Sequence, residues 1–209
     1  MKLKISSFAD GNAIPGEFAF AVPAEEGHVA LSSNRNPHLE WSDVPEGTKS
    51  FAVICHDPDV PSVGDDVNQE GKTVPQDLPR VDFYHWVLVN IPLTVNEIAA
   101  GCVSEGVTAR GKKPGKGDLG VTGINDYTGW FAGDKDMEGD YGGYDGPCPP
   151  WNDTLIHRYV FTVYALDIEA LDLSGTFTGQ EALAAMEDHI LGCDAWTGTY
   201  TLNTQLLST

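Results

Sequence analysis

The chain is poor in positive charge. Twelve Lys and Arg stand against 31 Asp and Glu in 209 residues, a formal charge of −19. A nucleic-acid duplex or an anionic membrane surface would be repelled over about a Debye length, ~8 Å in physiological salt. No nucleic-acid partner is therefore expected. Long apolar runs are also missing. None approaches the ~20 residues of a membrane-spanning helix, so no integral membrane contact is expected. The opening stretch, MKLKISSFADGNAIPGEF, has no apolar core of roughly 7–15 residues and does not read as a secretory signal. Cysteine is scarce: Cys55, Cys102, Cys148 and Cys193 lie far apart with no C-x-x-C pair. These absences point to reduced thiols in a cytoplasmic protein.

What is present suits a folded, turn-rich chain. The hydrophobic fraction of 41% is well spread, which argues against disorder. A chain of this length buries roughly 70% of its unfolded surface and needs no disulfides. No repeat or convincing linker divides it, so one domain over residues 1–209 is expected. Strands are predicted at Lys2 to Ser6, Glu17 to Val22, Ser50 to His56, Phe83 to Ile91, His157 to Leu166 and Thr197 to Leu202. The run HRYVFTVYAL is the strongest of these, rich in β-branched and aromatic residues. Nearly continuous apolar runs between Gly/Pro turns predict strands covered on both faces, as in a sandwich core. Helices are few. One is predicted over about 180–191 from the spacing of Leu183, Met186 and Ile190, capped at Thr178 or Gly179 and ended by Gly192. A second, short one is predicted from Thr94 to Ala100 on capping-box spacing. Residues 62–80 and 110–153 fit neither pattern, and long unassigned loops are usually functional or hold hidden structure.

Alternate residues of a strand share a face. Asp57 then shares a face with Phe51, Val53 and Cys55, His85 with Val87, Val89 and Ile91, and His157 with Tyr159, Phe161 and Val163. Three predicted strands thus each carry a polar residue at one end of an apolar face. Asp57-Pro-Asp59 alone reads as a turn. Convergence of the strand ends would make it one side of an apolar pocket mouth holding an aspartate, two histidines and a tyrosine. The loop DYGGYDGPCPPWND beside them is stiffened by Pro147, Pro149 and Pro150, which lowers the entropy cost of holding a ligand.

These residues resemble the phosphatidylethanolamine-binding proteins. The matching segments are Asp57-Pro-Asp-Val-Pro61, His85-Trp-Val-Leu-Val-Asn-Ile-Pro92, Gly146-Pro-Cys-Pro-Pro150 and His157-Arg-Tyr159, in the family's order and spacing. They are most similar to its bacterial Raf-kinase-inhibitor-like branch, from about Asn34 to Tyr200. The resemblance implies a mainly β fold: a two-sheet antiparallel β-sandwich with a few short helices. It implies a pocket for phosphoryl head groups and similar anions at Asp57, Asp59, His85, the Pro147-Cys148-Pro149 turn, His157 and Tyr159. Phe83 stands where relatives often carry Trp, keeping an aromatic wall without an indole donor. Arg158, pointing away from His157, is expected to pair with Asp59 in a supporting role. The implied function is non-catalytic binding of a small phosphorylated or zwitterionic molecule, without cofactor. Relatives that inhibit kinases or proteases imply a regulatory partner of that kind. The oligomeric state is open, a homodimer included.

Rival chemistries use the same residues. A hydrolase would take Cys148 as nucleophile beside His157, but no oxyanion nest is evident. A metal site would draw on Asp57, Asp59, His85 and His157, without any closely spaced ligand motif. Residues 134–145 place Asp134, Asp136, Glu138, Gly139 and Asp145 at calcium-loop positions, yet lack the closing Glu and flanking helices. The stretch from Arg110 to Lys116 is the one basic patch. It reads as a mobile loop or a contact for an acidic partner.

Overall fold

The computed structural model describes residues 1–207; Ser208 and Thr209, the last two positions of the expected domain, lie outside them. The described residues form eleven strands: β1 (Lys2–Ile5), β2 (Ala21–Pro23), β3 (Val29–Leu31), β4 (Leu39–Ser42), β5 (Ser50–Pro61), β6 (Arg80–Pro92), β7 (Glu97–Ile98), β8 (Gly115–Gly117), β9 (Gly120–Thr122), β10 (His157–Leu166) and β11 (Ile190–Tyr200). A six-stranded sheet runs in the order β11-β10-β5-β6-β9-β8, a three-stranded sheet in the order β1-β4-β7, and β2-β3 form a hairpin. Every pairing between named strands is antiparallel.

The apolar alternation explains the layers. One face of β5, carrying Phe51, Val53 and Cys55, packs with Phe161 and Val163 of β10 and with Leu3, Ile5, Leu39 and Trp41 of the smaller sheet. The other face, with Ala52 and Ile54, packs with Val87 and Val89 under Leu171, Phe177, Ala182 and Met186. Both faces are therefore sealed, which is why the β5 and β10 segments read as almost uninterrupted apolar runs. Burying each large aliphatic or aromatic side chain contributes about 1.5–3 kcal/mol relative to leaving it exposed.

Two helices are formed, α1 (Tyr127–Trp130) and α2 (Gly179–Met186). Thr178 caps α2 through a reciprocal capping box with Glu181. The helix ends earlier than predicted. A 3₁₀ turn covers Glu187–His189, and Ile190 and Leu191 open β11, where Ile190 pairs with Leu166. The helix expected at Thr94 to Ala100 is absent. Glu97 and Ile98 pair with β4 instead, because Ile98 is buried against Leu39 and packing overrides the local capping signal. The strand expected at Glu17 to Val22 is a 3₁₀ turn, Gly16–Phe18, followed by the short β2. The long segment after residue 110 holds hidden structure, the β8-β9 hairpin and α1.

Candidate functional site

β10, β5 and β6 are neighbours in the large sheet, so their ends bring His157 and Tyr159, Asp57, and Phe83 and His85 side by side. Strict alternation would not do this. It places His85 with Val87 and Val89, which face α2, on the opposite side of the sheet from Asp57. The structure corrects that reading. His56 pairs with Tyr84 but Cys55 pairs with Trp86, so His85 is the extra residue of a β-bulge. The bulge shifts the pleat by one and turns His85 to the face of Trp86 and Leu88. A second register shift, between Asp57 and Val60, falls at Pro58, which has no N–H to give the ladder. There Asp57 Oδ1 accepts from the Asp59 amide at 2.8 Å.

These side chains line a cavity of about 220 Å³. The lining also includes the aromatic residues Tyr127 and Trp130, the Cys148-Pro149-Pro150 turn, and Val60, Pro61, Gly64, Val67 and Asn68. His85 meets Phe83, Tyr127 and Tyr159 at ring separations of 5.0, 5.6 and 5.1 Å. Trp130 is largely exposed at the rim. Two broader grooves, of about 890 and 760 Å³, gather no comparable set of buried acid, imidazole and phenol.

The two histidines differ in chemistry. His157 is fully buried, its Nδ1 2.7 Å from Asp57 Oδ2 and its Nε2 3.1 Å from Asp153 Oδ2. With a carboxylate at each nitrogen, both nitrogens donate and the ring is an imidazolium. Burial opposes the charge, but the hydrogen bonds and charges of Asp153 and Asp57 outweigh it and raise the pKa to about 9. His85 is different. Its Nδ1 donates to the Asp145 carbonyl at 2.7 Å, and among the described residues its Nε2 has no partner. Burial lowers its pKa, against the pull of Asp57 and Asp145, so the free site holds a neutral imidazole. Among the described residues the buried Tyr159 hydroxyl on the cavity wall has no well-formed hydrogen bond, although it lies close enough to Asp57 for a weak one. Burial, with the nearby Asp57 charge, raises its pKa well above the usual value, so it stays a donor.

Around this core lies a set of ion pairs that sequence reasoning missed in part. Arg80 donates to Asp153 from Nη1 (2.6 Å) and Nη2 (3.1 Å), and also to the carbonyls of Asp59 and Pro75. Arg158 grips Asp59 from Nε (2.8 Å) and Nη2 (2.7 Å), the pairing expected from its outward direction. Burial raises the pKa of Asp59 and of Asp153, but Arg158 in one case and His157 with Arg80 in the other leave both below the usual range. Asp59 is thus spent on Arg158 and stands outside the cavity wall, contrary to its expected place among the ligand residues. Pro147 is also outside the wall: its carbonyl accepts from the amides of Phe20 and Ala21 and ties the loop to the core. Asp57, Phe83, His85, Cys148, Pro149, His157 and Tyr159 all reach the cavity.

The missed residues had weak signals. Asp153 lies four before His157, at the end of the unassigned segment 110–153. Arg80 and Tyr127 lie in segments without a clear element. Asn152 clamps the 62–80 loop by donating to the carbonyls of Asp66, Gln69 and Lys72 and accepting from Asn68 N. Asp145 is buried and accepts from Asn34, Asn125 and the Lys112 ammonium. It is therefore committed away from a calcium loop, and exposed Asp134 accepts from the amides of Asp136 and Met137 through Oδ1. The basic stretch is partly consumed as well, since Lys112 serves Asp145 and Arg110 donates to the Lys135 carbonyl. Among the described residues no group of three or more His, Cys, Asp or Glu is arranged to hold a metal ion. His157, with both nitrogens committed to carboxylates, has no lone pair to offer one.

A family model described as phosphatidylethanolamine-binding protein matches residues 4–201. The chain belongs to this family. It is 34% identical to the UPF0098 protein YbhB of Escherichia coli over 181 residues, 86% of each chain. It is also 34% identical to a UPF0098 protein of Methanothermobacter thermautotrophicus over 200 residues, 96% of this chain and 98% of that one. The crystal structure of Escherichia coli YbcL, described as a new member of the mammalian family, superposes with a TM-score of 0.68 at 26% identity, covering 96% of this chain and 97% of that one. A putative family homolog, CT736 of Chlamydia trachomatis, superposes at 0.62 and 26% identity over 95% of both. No helix among the described residues of this family member is long and apolar enough to cross a membrane.

Proposed function

We propose that this chain binds a small phosphorylated or zwitterionic molecule, such as an ethanolamine-phosphate head group, without turning it over. One observation carries the reading: a buried, unpartnered Tyr159 hydroxyl shares a cavity wall with the free Nε2 of His85. An orphan buried donor costs about 1–3 kcal/mol, a penalty that a ligand oxygen removes. A phosphoryl group would accept from Tyr159 and from His85 once that ring takes up a proton. An ammonium end would lie over Phe83, Tyr127 or Trp130, whose ring faces attract cations. A cavity near 220 Å³ is small for a drug-sized ligand and suits a head group.

Other features weigh against catalysis. Burial pushes the Cys148 thiol up to about 12, so it is no ready nucleophile. His157 holds protons on both nitrogens and has none to accept. We further place the protein in the cytoplasm, where its four unpaired cysteines stay reduced, and read it as a regulator whose partner, a kinase or protease, docks at the Trp130 rim. Calorimetric titration with phosphoethanolamine and with inorganic phosphate tests the main reading. Saturable heat with no product is expected, and His85→Gln should abolish most of it. Product release that scales with protein concentration would overturn it.

A further inference from the structure

Six ionised groups meet at the cavity wall and behind it. Asp57, Asp59 and Asp153 face His157, Arg80 and Arg158, and their formal charges cancel. Asp153 and Arg80 do not line the cavity. Asp153 nonetheless bridges Arg80 to His157 through one oxygen, Oδ2, at 2.6 and 3.1 Å. Resting on the reading of the cavity as an anion pocket, we propose that Asp153 and Arg80 are positioning residues that set which ligand charge it admits. They fix His157 as the cation that neutralises Asp57, and leave His85 and Tyr159 to meet the ligand.

The reasoning is electrostatic. Asp57 sits on the cavity wall as a carboxylate and would by itself repel an anion. The neighbouring imidazolium cancels it, and the imidazolium is favoured by an oxygen acceptor at each ring nitrogen, Asp57 at one and Asp153 at the other. Arg80 in turn offsets the charge of Asp153, so the array stays neutral. The groups facing His157 are Asp57 from β5, Asp153 from the preceding loop, and Tyr159 and His85 across the cavity wall. Among the described residues the two carboxylates are the hydrogen-bond partners of its ring nitrogens.

The two residues therefore have opposite effects on an anion. Asp153→Asn keeps an oxygen for His157 but removes one negative charge, leaving the array at +1. Arg80→Gln leaves it at −1. The double variant returns it to neutral. A charge buried about 10 Å from the ligand changes affinity on the order of tenfold. A merely structural role would weaken binding in both single variants, because both lose ion pairing.

The test is titration with inorganic phosphate at about pH 6, below the ordinary histidine pKa of ~6.5. Asp153→Asn should bind phosphate roughly tenfold tighter than the parent, Arg80→Gln roughly tenfold weaker, and the double variant near the parent. Parallel NMR titration of the imidazole signals should show His157 charged past pH 8 in the parent and losing its proton earlier in Asp153→Asn. Equal weakening in both single variants, or a neutral His157 in the parent at neutral pH, overturns the inference and leaves the pocket standing. A parent that binds no phosphate at millimolar concentration removes the anion-pocket reading and this inference with it. Arg80→Lys, which keeps the charge, covers the case in which Arg80→Gln does not fold: near-parental affinity supports the charge role, and an affinity as low as that of an uncharged replacement contradicts it.

Discussion

The unpartnered hydroxyl of Tyr159 gives the sharpest test. Tyr159→Phe removes one oxygen from a fully buried ring and leaves the packing of that ring in the core intact. In the free protein that oxygen has at most a weak contact with Asp57, so it carries much of a desolvation penalty of about 1–3 kcal/mol. Water entering the cavity offsets part of that penalty. The Phe variant should therefore be as stable as the parent or more so, by up to about 2 kcal/mol. In the proposed complex the same hydroxyl would donate to a charged ligand oxygen, a bond worth about 1.5–3 kcal/mol. Phosphate affinity should fall roughly ten- to hundredfold. Urea denaturation and calorimetric titration measure the two quantities on one pair of samples. A variant destabilised by more than ~1 kcal/mol would mean the hydroxyl has a partner in the folded protein. Unchanged affinity would mean it does not meet the ligand.

Stability should depend on pH through His157, whose folded pKa is raised from 6.5 to about 9. A raised pKa stabilises fully below 6.5, and the contribution, about 3 kcal/mol, is lost as pH rises through about 9. Urea midpoints should therefore fall between pH 6.5 and 9.5, and a flat profile there would contradict a buried imidazolium. Gly146→Ala should destabilise by about 3 kcal/mol and weaken phosphate binding, because a Cβ there would collide with the Phe18 carbonyl while the Gly146 amide and carbonyl hold Asn34 and Tyr127; equal urea midpoints would refute it. The charge of −19 repels any anion at long range. Phosphate affinity should rise several-fold between about 10 and 150 mM of a salt with a bulky, non-competing anion, as the Debye length shrinks from roughly 30 to 8 Å; a fall in titrated affinity would show that local positive charge dominates.

The layers were legible because both faces of β5 and β10 are buried, which writes itself as long apolar runs. The terminal groups of those runs were legible too: Asp57, His157 and Tyr159 sit where alternation puts them. His85 reached the right cavity by the wrong route. Period-two reasoning sent it to the face of Val87 and Val89, and a bulge, which leaves no mark in composition, sent it to the other. Asp59 shows a different limit. A carboxylate two residues from Asp57 looks like a second ligand group, but the sequence does not say that Arg158 takes both of its oxygens. Asp153 and Arg80 were invisible for the same reason, since neither belongs to a periodic pattern and their meeting spans 73 residues of chain.

Formal charge in this chain is a statement about its surface. Thirty-one acids over twelve bases argue, taken alone, against an anion site lined by aspartate. The interior follows a separate rule, because an unpaired charge out of water costs several kcal/mol. Asp57, Asp59 and Asp153 could be buried only by recruiting three cations, and two of those, Arg80 and Arg158, come from only twelve in the chain. The third is an imidazole that the fold keeps charged by surrounding it with acid. That recruitment leaves one histidine, His85, neutral beside an unpaired phenol. The pair of carboxylates that opens the β5 turn thus bears on the cavity indirectly: Asp57 holds His157, Asp59 holds Arg158, and His85 and Tyr159 are the groups that the proposed ligand would meet.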